Sequence, residues 1–242
     1  MKKSLLLATL VGVLALQSCS VPPMAVESSF KQQAEELPVT GRKAFKPNGR
    51  FNVGNYIVAN VDRGWKNSGG FSILGYENIK SSQKYQFSLQ DGKGDEWYVF
   101  GISKLQEKNL KSTNGFSFRV APSMEYYTSY FTSPESGQWQ LLTVDPGHYL
   151  ERNKFEGGVS NGVTYYEITP VYKFEGKSLP LSDIVGYEFK EGEMVIGAVQ
   201  VVNNGKVWLQ PNLPVDTRMV LASAMASLLL YDKLYASEVA LN

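Results

Sequence analysis

The sequence predicts a mainly β domain, an antiparallel barrel or sandwich, with one hydrophobic helix buried near the C-terminus. Three observations carry this expectation. Apolar and polar residues alternate with period two over several short runs. Clusters rich in Gly, Asp, Ser and Pro separate those runs. Near the end of the chain, Met219 to Tyr231 is interrupted only by Ser223 and Ser227 and consists largely of strong helix formers.

The chain opens with Met1, Lys2 and Lys3, then runs without a charge from Ser4 to Leu16. A basic start before an apolar core marks a secretory signal. The run is too short to span comfortably, because a bilayer core requires roughly 20 apolar residues. It ends in Leu16-Gln17-Ser18-Cys19, which resembles the lipobox of bacterial lipoproteins. An aliphatic residue stands three before the cysteine and a small residue immediately before it; Gln17 is a less usual filler of the tolerant middle position. The resemblance implies a signal peptide over residues 1–18, cleavage between Ser18 and Cys19, diacylglycerol on the Cys19 sulfur and usually a further acyl chain on the new amino group. One chain binds marginally at about 0.8 kcal/mol per buried CH₂, whereas two or three anchor stably. Ser20 rather than Asp follows the cysteine. By the same resemblance that points to the outer membrane of the cell envelope, with the domain facing the periplasm or the cell surface.

Residues 19–44 read as a lipidated N-terminus and flexible tether, since Pro22-Pro23, Ser28-Ser29, Lys31-Gln32-Gln33 and Glu35-Glu36 carry little that builds a core. Ordered pattern begins near Phe45 to Phe51, which places a single domain over 45–242. Cys19 is the only cysteine, so no disulfide supports that domain. About 200 residues are enough to stand on one core. Removing the signal takes away Lys2 and Lys3 and no acid, leaving 22 basic residues against 23 acidic ones. A near-neutral chain has no electrostatic footprint for nucleic acid. The expected partners are the membrane, through the acyl chains on Cys19, and another envelope protein.

Within the domain, Tyr85, Phe87 and Leu89 alternate with Gln86 and Ser88, and Phe116, Phe118 and Val120 with Ser117 and Arg119. From Trp97 to Ile102 the apolar run is nearly continuous, as in a strand buried on both faces. Asn67-Ser68-Gly69-Gly70, Asp91-Gly92-Lys93-Gly94-Asp95, Ser133-Pro134-Glu135-Ser136-Gly137 and Asp145-Pro146-Gly147 separate the runs. The clearest hairpin joins Met194–Val202 to Lys206–Leu209 through Asn203-Asn204-Gly205, where Asn-Gly suits positive φ angles.

The helix is expected over about 216–235. Leu221, Met225, Leu228 and Leu229 cover one side; Ala222, Ala226, Ser223 and Ser227 form a narrow side that lets a strand approach closely. A helix apolar nearly all round is buried rather than superficial. Gly186-Tyr187-Glu188-Phe189, the strand Val195 to Val199 and this helix together resemble the tubby-like fold shared by LURP-one proteins and phospholipid scramblases. That resemblance implies a curved antiparallel sheet around a central helix. It covers about a quarter of the chain and transfers no functional residue; the basic pocket of phosphoinositide-binding tubby domains has no counterpart here.

No catalytic constellation emerges. His148 is the only histidine and lies in the turn Asp145-Pro146-Gly147-His148-Tyr149, where an exposed turn residue is expected. Asp91 to Glu96 holds three carboxylates that could ligate calcium, but acids are missing at the alternate positions of an EF-hand, and a hairpin loop is expected there. Glu125 to Phe131 could offer an aromatic platform for sugars; in a half-buried strand the same residues line the core and its rim. Neither a phosphate-binding glycine loop nor a Gly-x-Ser-x-Gly elbow is present. The expectation is therefore a non-enzymatic envelope lipoprotein of structural or interaction type, with no catalytic residues, metal or cofactor and no assigned ligand-binding residue. Two alternatives are a lipocalin-type carrier of a small apolar ligand and a carboxylate-dependent envelope hydrolase.

Overall fold

The computed structural model describes residues 22–43, 48–64, 67–68, 79–106, 124–133, 137–147 and 149–234. Ser18, Cys19, His148 and the Phe116–Val120 alternation lie outside these. A short helix α1 (Ser28–Lys31) precedes the strands β1 (Glu35–Thr40), β2 (Phe51–Val53), β3 (Tyr56–Arg63) and β4 (Asn67–Ser68). The long strands β5 (Ile79–Gln90), β6 (Glu96–Gln106), β7 (Met124–Ser133) and β8 (Gly137–Asp145) follow. After a 3₁₀ turn at Tyr149–Lys154 come β9 (Glu156–Ser160), β10 (Tyr165–Val171), β11 (Gly186–Glu191), β12 (Met194–Gln200) and β13 (Lys206–Leu209), then helix α2 (Val215–Leu230).

Every ladder is antiparallel, and the order runs β3-β2-β1-β13-β12-β11-β10-β9-β8-β7-β6-β5-β4. β3 also pairs with β5, which closes a twelve-stranded barrel; β4 continues along the edge of β5 beyond β3. Closure rather than a sandwich removes the open edges of a long sheet. Eight strands already leave an interior that side chains just fill, so twelve require something larger inside. α2 supplies it. Every residue from Met219 to Leu230 is buried, and the helix packs against β6 and β7 on one side and β12 on the opposite side.

An interior helix must also satisfy the carbonyls of its last turn. Ser227 O accepts from the Tyr127 hydroxyl at 2.8 Å, with the Tyr85 hydroxyl at 3.4 Å, and the Ser227 and Ser129 hydroxyls are 3.0 Å apart. The Arg63 guanidinium donates to Leu230 O, placing a cation at the negative end of the helix. The serine side of the helix therefore meets tyrosines. Gly197 of β12 leaves room for Met225, since a Cβ there would lie 2.5 Å from Met225 Cε.

The helix ends at Leu230, short of the expected 235, because Tyr231 turns extended (φ −61°, ψ 127°). Its ring stacks on Tyr127 at 4.4 Å, and the chain then docks through Lys233 on Asp145 (2.9 Å) and Leu234 N on Glu125 (2.7 Å).

Residues 22–43 depart from the expected tether. β1 is a barrel strand between β2 and β13. Ahead of it, Met24, Val26 and Phe30 cover Val185, Val195, Ala198 and Trp208 on the outside of β11–β13. Met24 N donates to Gln200 Oε1 at 2.9 Å, and Ala25 N to Lys173 O at 2.8 Å. Three apolar residues spread among polar ones carry no periodic signal, yet with Ala34, Val171, Phe174 and Val202 they share the cluster that buries Trp208. The Asn203-Asn204-Gly205 hairpin forms as expected, with φ +58° at Asn203 and +87° at Gly205.

Candidate functional site

Only some of the residues that suggested chemistry are brought together. Of the Asp91–Glu96 cluster, Asp91 to Asp95 form the hairpin loop between β5 and β6, and Glu96 opens β6. Asp91 Oδ1 accepts from the backbone N–H groups of Lys93, Gly94 and Asp95 at 2.7, 3.1 and 3.2 Å, and so is committed to shaping its own turn. Among the described residues, no group of three His, Cys, Asp or Glu side chains is placed to hold a metal ion.

Two acids not coupled by any sequence motif do meet. Glu125 and Asp145 are direct partners across β7 and β8, both buried at the end of the barrel where α2 terminates. Their oxygens receive Leu234 N–H, the Lys233 ammonium and Gly147 N–H (2.8 Å to Asp145). Burial, with the charges of Asp145 and Glu125 close by, pushes the phenols of Tyr187 and Tyr231 well above their ordinary value. This cluster clamps the C-terminal segment, and both acids are engaged by it.

A concave surface lies on the outside of β5–β8. Register places Ser88, Tyr98, Thr132 and Gln138 in one row across the four strands, and Gln86, Phe100, Tyr130 and Gln140 in the next. Alternation sends Tyr85, Phe87, Tyr127 and Phe131 inward to the core and these residues outward. The result is a groove of about 700 Å³, within the range of small-ligand sites. Tyr98 and Phe100 are 57% and 37% exposed. The continuous apolar run Trp97 to Ile102 is thus not a strand buried on both faces. Trp97, Val99 and Ile102 are buried, while Tyr98 and Phe100 form an aromatic stripe open to the groove.

Several contacts hold the groove in shape. A bulge in the β3–β5 ladder between Ala59 and Asp62 puts Asn60 in the left-handed region (φ +53°), which Asn tolerates better than most residues. Asn60 Nδ2 donates to Ser88 Oγ at 3.1 Å. On the far side, Gln140 Nε2 donates to the Tyr130 hydroxyl (3.1 Å) and to Thr128 Oγ1 (3.0 Å). Gln140 is fully buried, and its Oε1 has no hydrogen-bond partner among the described residues. The Tyr98 hydroxyl donates to Glu96 Oε2 at 3.2 Å, and Gln90 Nε2 to Glu96 Oε1 at 2.9 Å. These bonds, that from Gln90 foremost, hold the Glu96 carboxyl below its usual value, and the bond to Glu96 raises the Tyr98 phenol.

Of the aromatic segment Glu125 to Phe131, only Tyr130 lines the groove; Tyr127 and Phe131 are core, and Tyr126 is buried on the outer face. Sequence reasoning missed Tyr98, Phe100, Gln86 and Gln138 as a group, since no spacing within the chain joins three different strands. No protein-family model, no curated protein and no solved structure matches the chain.

Proposed function

We propose that this is a lipid-anchored protein of the bacterial cell envelope, non-enzymatic, which acts by contact through the outer surface of its barrel. The observation that carries this reading is the position of α2. Because the helix fills the barrel, recognition falls to the outside, and the groove on β5–β8 is a concave surface there. Attachment through acyl chains on Cys19 fits the packing of the N-terminal segment. Met24 is fixed to the barrel only five residues after Cys19, so at ~3.3–3.6 Å per residue the link reaches no more than about 18 Å. The barrel is then held close to the membrane surface, which by the identity of Ser20 is the outer membrane.

The helix-filled barrel also supports the likeness to the tubby-like fold, from which no functional residue is transferred. A lipocalin-type carrier is the second reading; an interior ligand would have to displace a helix buried over twelve consecutive residues. A carboxylate hydrolase is supported least, because Glu125 and Asp145 are already held by Lys233 and Leu234.

The test is metabolic labelling of the full-length chain with radioactive palmitate in a bacterium, followed by membrane fractionation. Label should enter the wild-type protein and be lost, with release from the membrane, in Cys19→Ser. An unlabelled wild-type protein in the soluble fraction would overturn the anchor.

A further inference from the structure

The groove has a chemical character more specific than a generic contact surface. Its middle is an aromatic stripe, Tyr98 and Phe100 on β6 with Tyr130 on β7. Its flanks are neutral hydrogen-bonding groups: Asn60 and Gln86 on one side, Thr132 and Gln138 on the other. No described lining residue carries a formal charge. A charged ligand would find no counter-charge among the described lining residues, and the Glu96 carboxylate against Tyr98 is already engaged by Tyr98 and Gln90. An acyl chain would fit the stripe but would desolvate the flanking amides without pairing them, at about 1–3 kcal/mol for each group left unsatisfied.

A sugar ring matches both parts. Its C–H face packs on an aromatic ring, while hydroxyl or acetamido groups at its edge both donate and accept, as Asn, Gln and Thr side chains do. At ~4.8 Å between strands, β5 to β8 span about 14 Å, enough for a short chain of sugars rather than one. Behind the stripe, the buried Gln140 side chain donates to the Tyr130 hydroxyl at 3.1 Å and so fixes its position.

We propose that this groove binds a neutral glycan chain, with sugar faces on Tyr98, Phe100 and Tyr130 and ring substituents hydrogen-bonded to Asn60, Gln86 and Gln138. The proposal rests on the reading of the barrel exterior as the contact surface and names its ligand class.

It is tested with the full-length chain in phospholipid nanodiscs, titrated calorimetrically with chitotetraose, cellotetraose and maltotetraose, and separately with decanoate. At least one oligosaccharide should bind, and Tyr98→Ala and Phe100→Ala should each weaken it about tenfold. Both side chains are exposed, so the variants keep the fold; Leu179→Ala, exposed outside the groove, should leave binding unchanged. The proposal is overturned if no oligosaccharide binds at millimolar concentration, if binding ignores both aromatic substitutions, or if only decanoate binds in a manner sensitive to them. A photo-crosslinking amino acid at position 132 then separates the two readings in cells. Protein adducts without sugar binding would sink the glycan proposal and leave the contact surface standing. Absence of both sinks the two together.

Discussion

Gly101 lies beneath the ring of Tyr85: a Cβ at position 101 would stand 2.1 Å from Tyr85 Cζ. The missing side chain lets Tyr85 lean from β5 across β6 and aim its hydroxyl at Ser227 O in the central helix. Gly101→Ala must therefore displace a fully buried ring. A loss of about 1–3 kcal/mol is expected from overpacking, read as a lower urea midpoint with an unchanged slope. An unaltered midpoint would mean that the ring has room to move.

The outer layer formed by residues 22–34 makes a separate contribution. Met24 is wholly buried between the barrel and the 173–185 segment, beside Gly186. Met24→Ala should cost about 2–5 kcal/mol, as core truncations do. It should also speed proteolysis within residues 22–34 ahead of global unfolding. A tether packed on nothing would show neither effect.

Tyr127 separates packing from hydrogen bonding at the helix terminus. Tyr127→Phe keeps the stack on Tyr231 and removes the 2.8 Å bond to Ser227 O, for an expected loss of about 1 kcal/mol. Tyr127→Ala also removes the ring, and about 3–5 kcal/mol should go with it. Equal losses in the two variants would place all of the effect in the hydroxyl.

Alkaline pH should unfold the protein rather than simply ionise it. Burial raises the phenols of Tyr85, Tyr187 and Tyr231 above the ordinary ~10, with nearby Glu125 and Asp145 adding to the last two. Above pH ~10 the unfolded chain loses protons that the folded one keeps, so their contribution is present below that pH and falls as pH rises through it. Phenolate absorbance from these residues should appear together with loss of near-ultraviolet dichroism. Its appearance in a still-folded protein would contradict their burial.

Lys104 has the opposite slope. Burial, and secondarily Lys84, lowers its ammonium to about 8. Between that value and the unfolded ~10.4, the unfolded chain binds more protons, so wild-type stability rises with pH in this window. The penalty of burying the charge is fully present below pH 8. Wild type should thus gain on Lys104→Met between pH 7.5 and 9.5 in parallel denaturation curves. A constant difference would show that Lys104 titrates as it does in water.

Much of the strand content was legible because burial on one face imposes period two: Tyr85, Phe87 and Leu89 point inward as their alternation says. Asn203-Asn204-Gly205 marked its hairpin through the same local chemistry. The run Trp97 to Ile102 misled, since an aromatic stripe in a groove and a second buried face have the same composition. Met24, Val26 and Phe30 were read as tether because their burial depends on Trp208 and Ala198, far along the chain. The candidate site was hardly legible at all. Tyr98, Phe100, Tyr130, Gln86 and Gln138 come from four strands, and only ladder register aligns them.

By itself the sequence determined a β-rich domain, the apolar helix that must be buried, and a lipobox-like Leu16 to Cys19. These are local properties, set by periodicity, propensity and adjacency. Tertiary structure alone decided that the sheet closes as twelve strands around the helix expected at its centre, and that an aromatic groove opens on its exterior. Each of those depends on which distant strands pair and in what register. That choice is made by the free energy of the closed sheet as a whole, with a lumen wide enough to need a helix and a helix apolar enough to fill it.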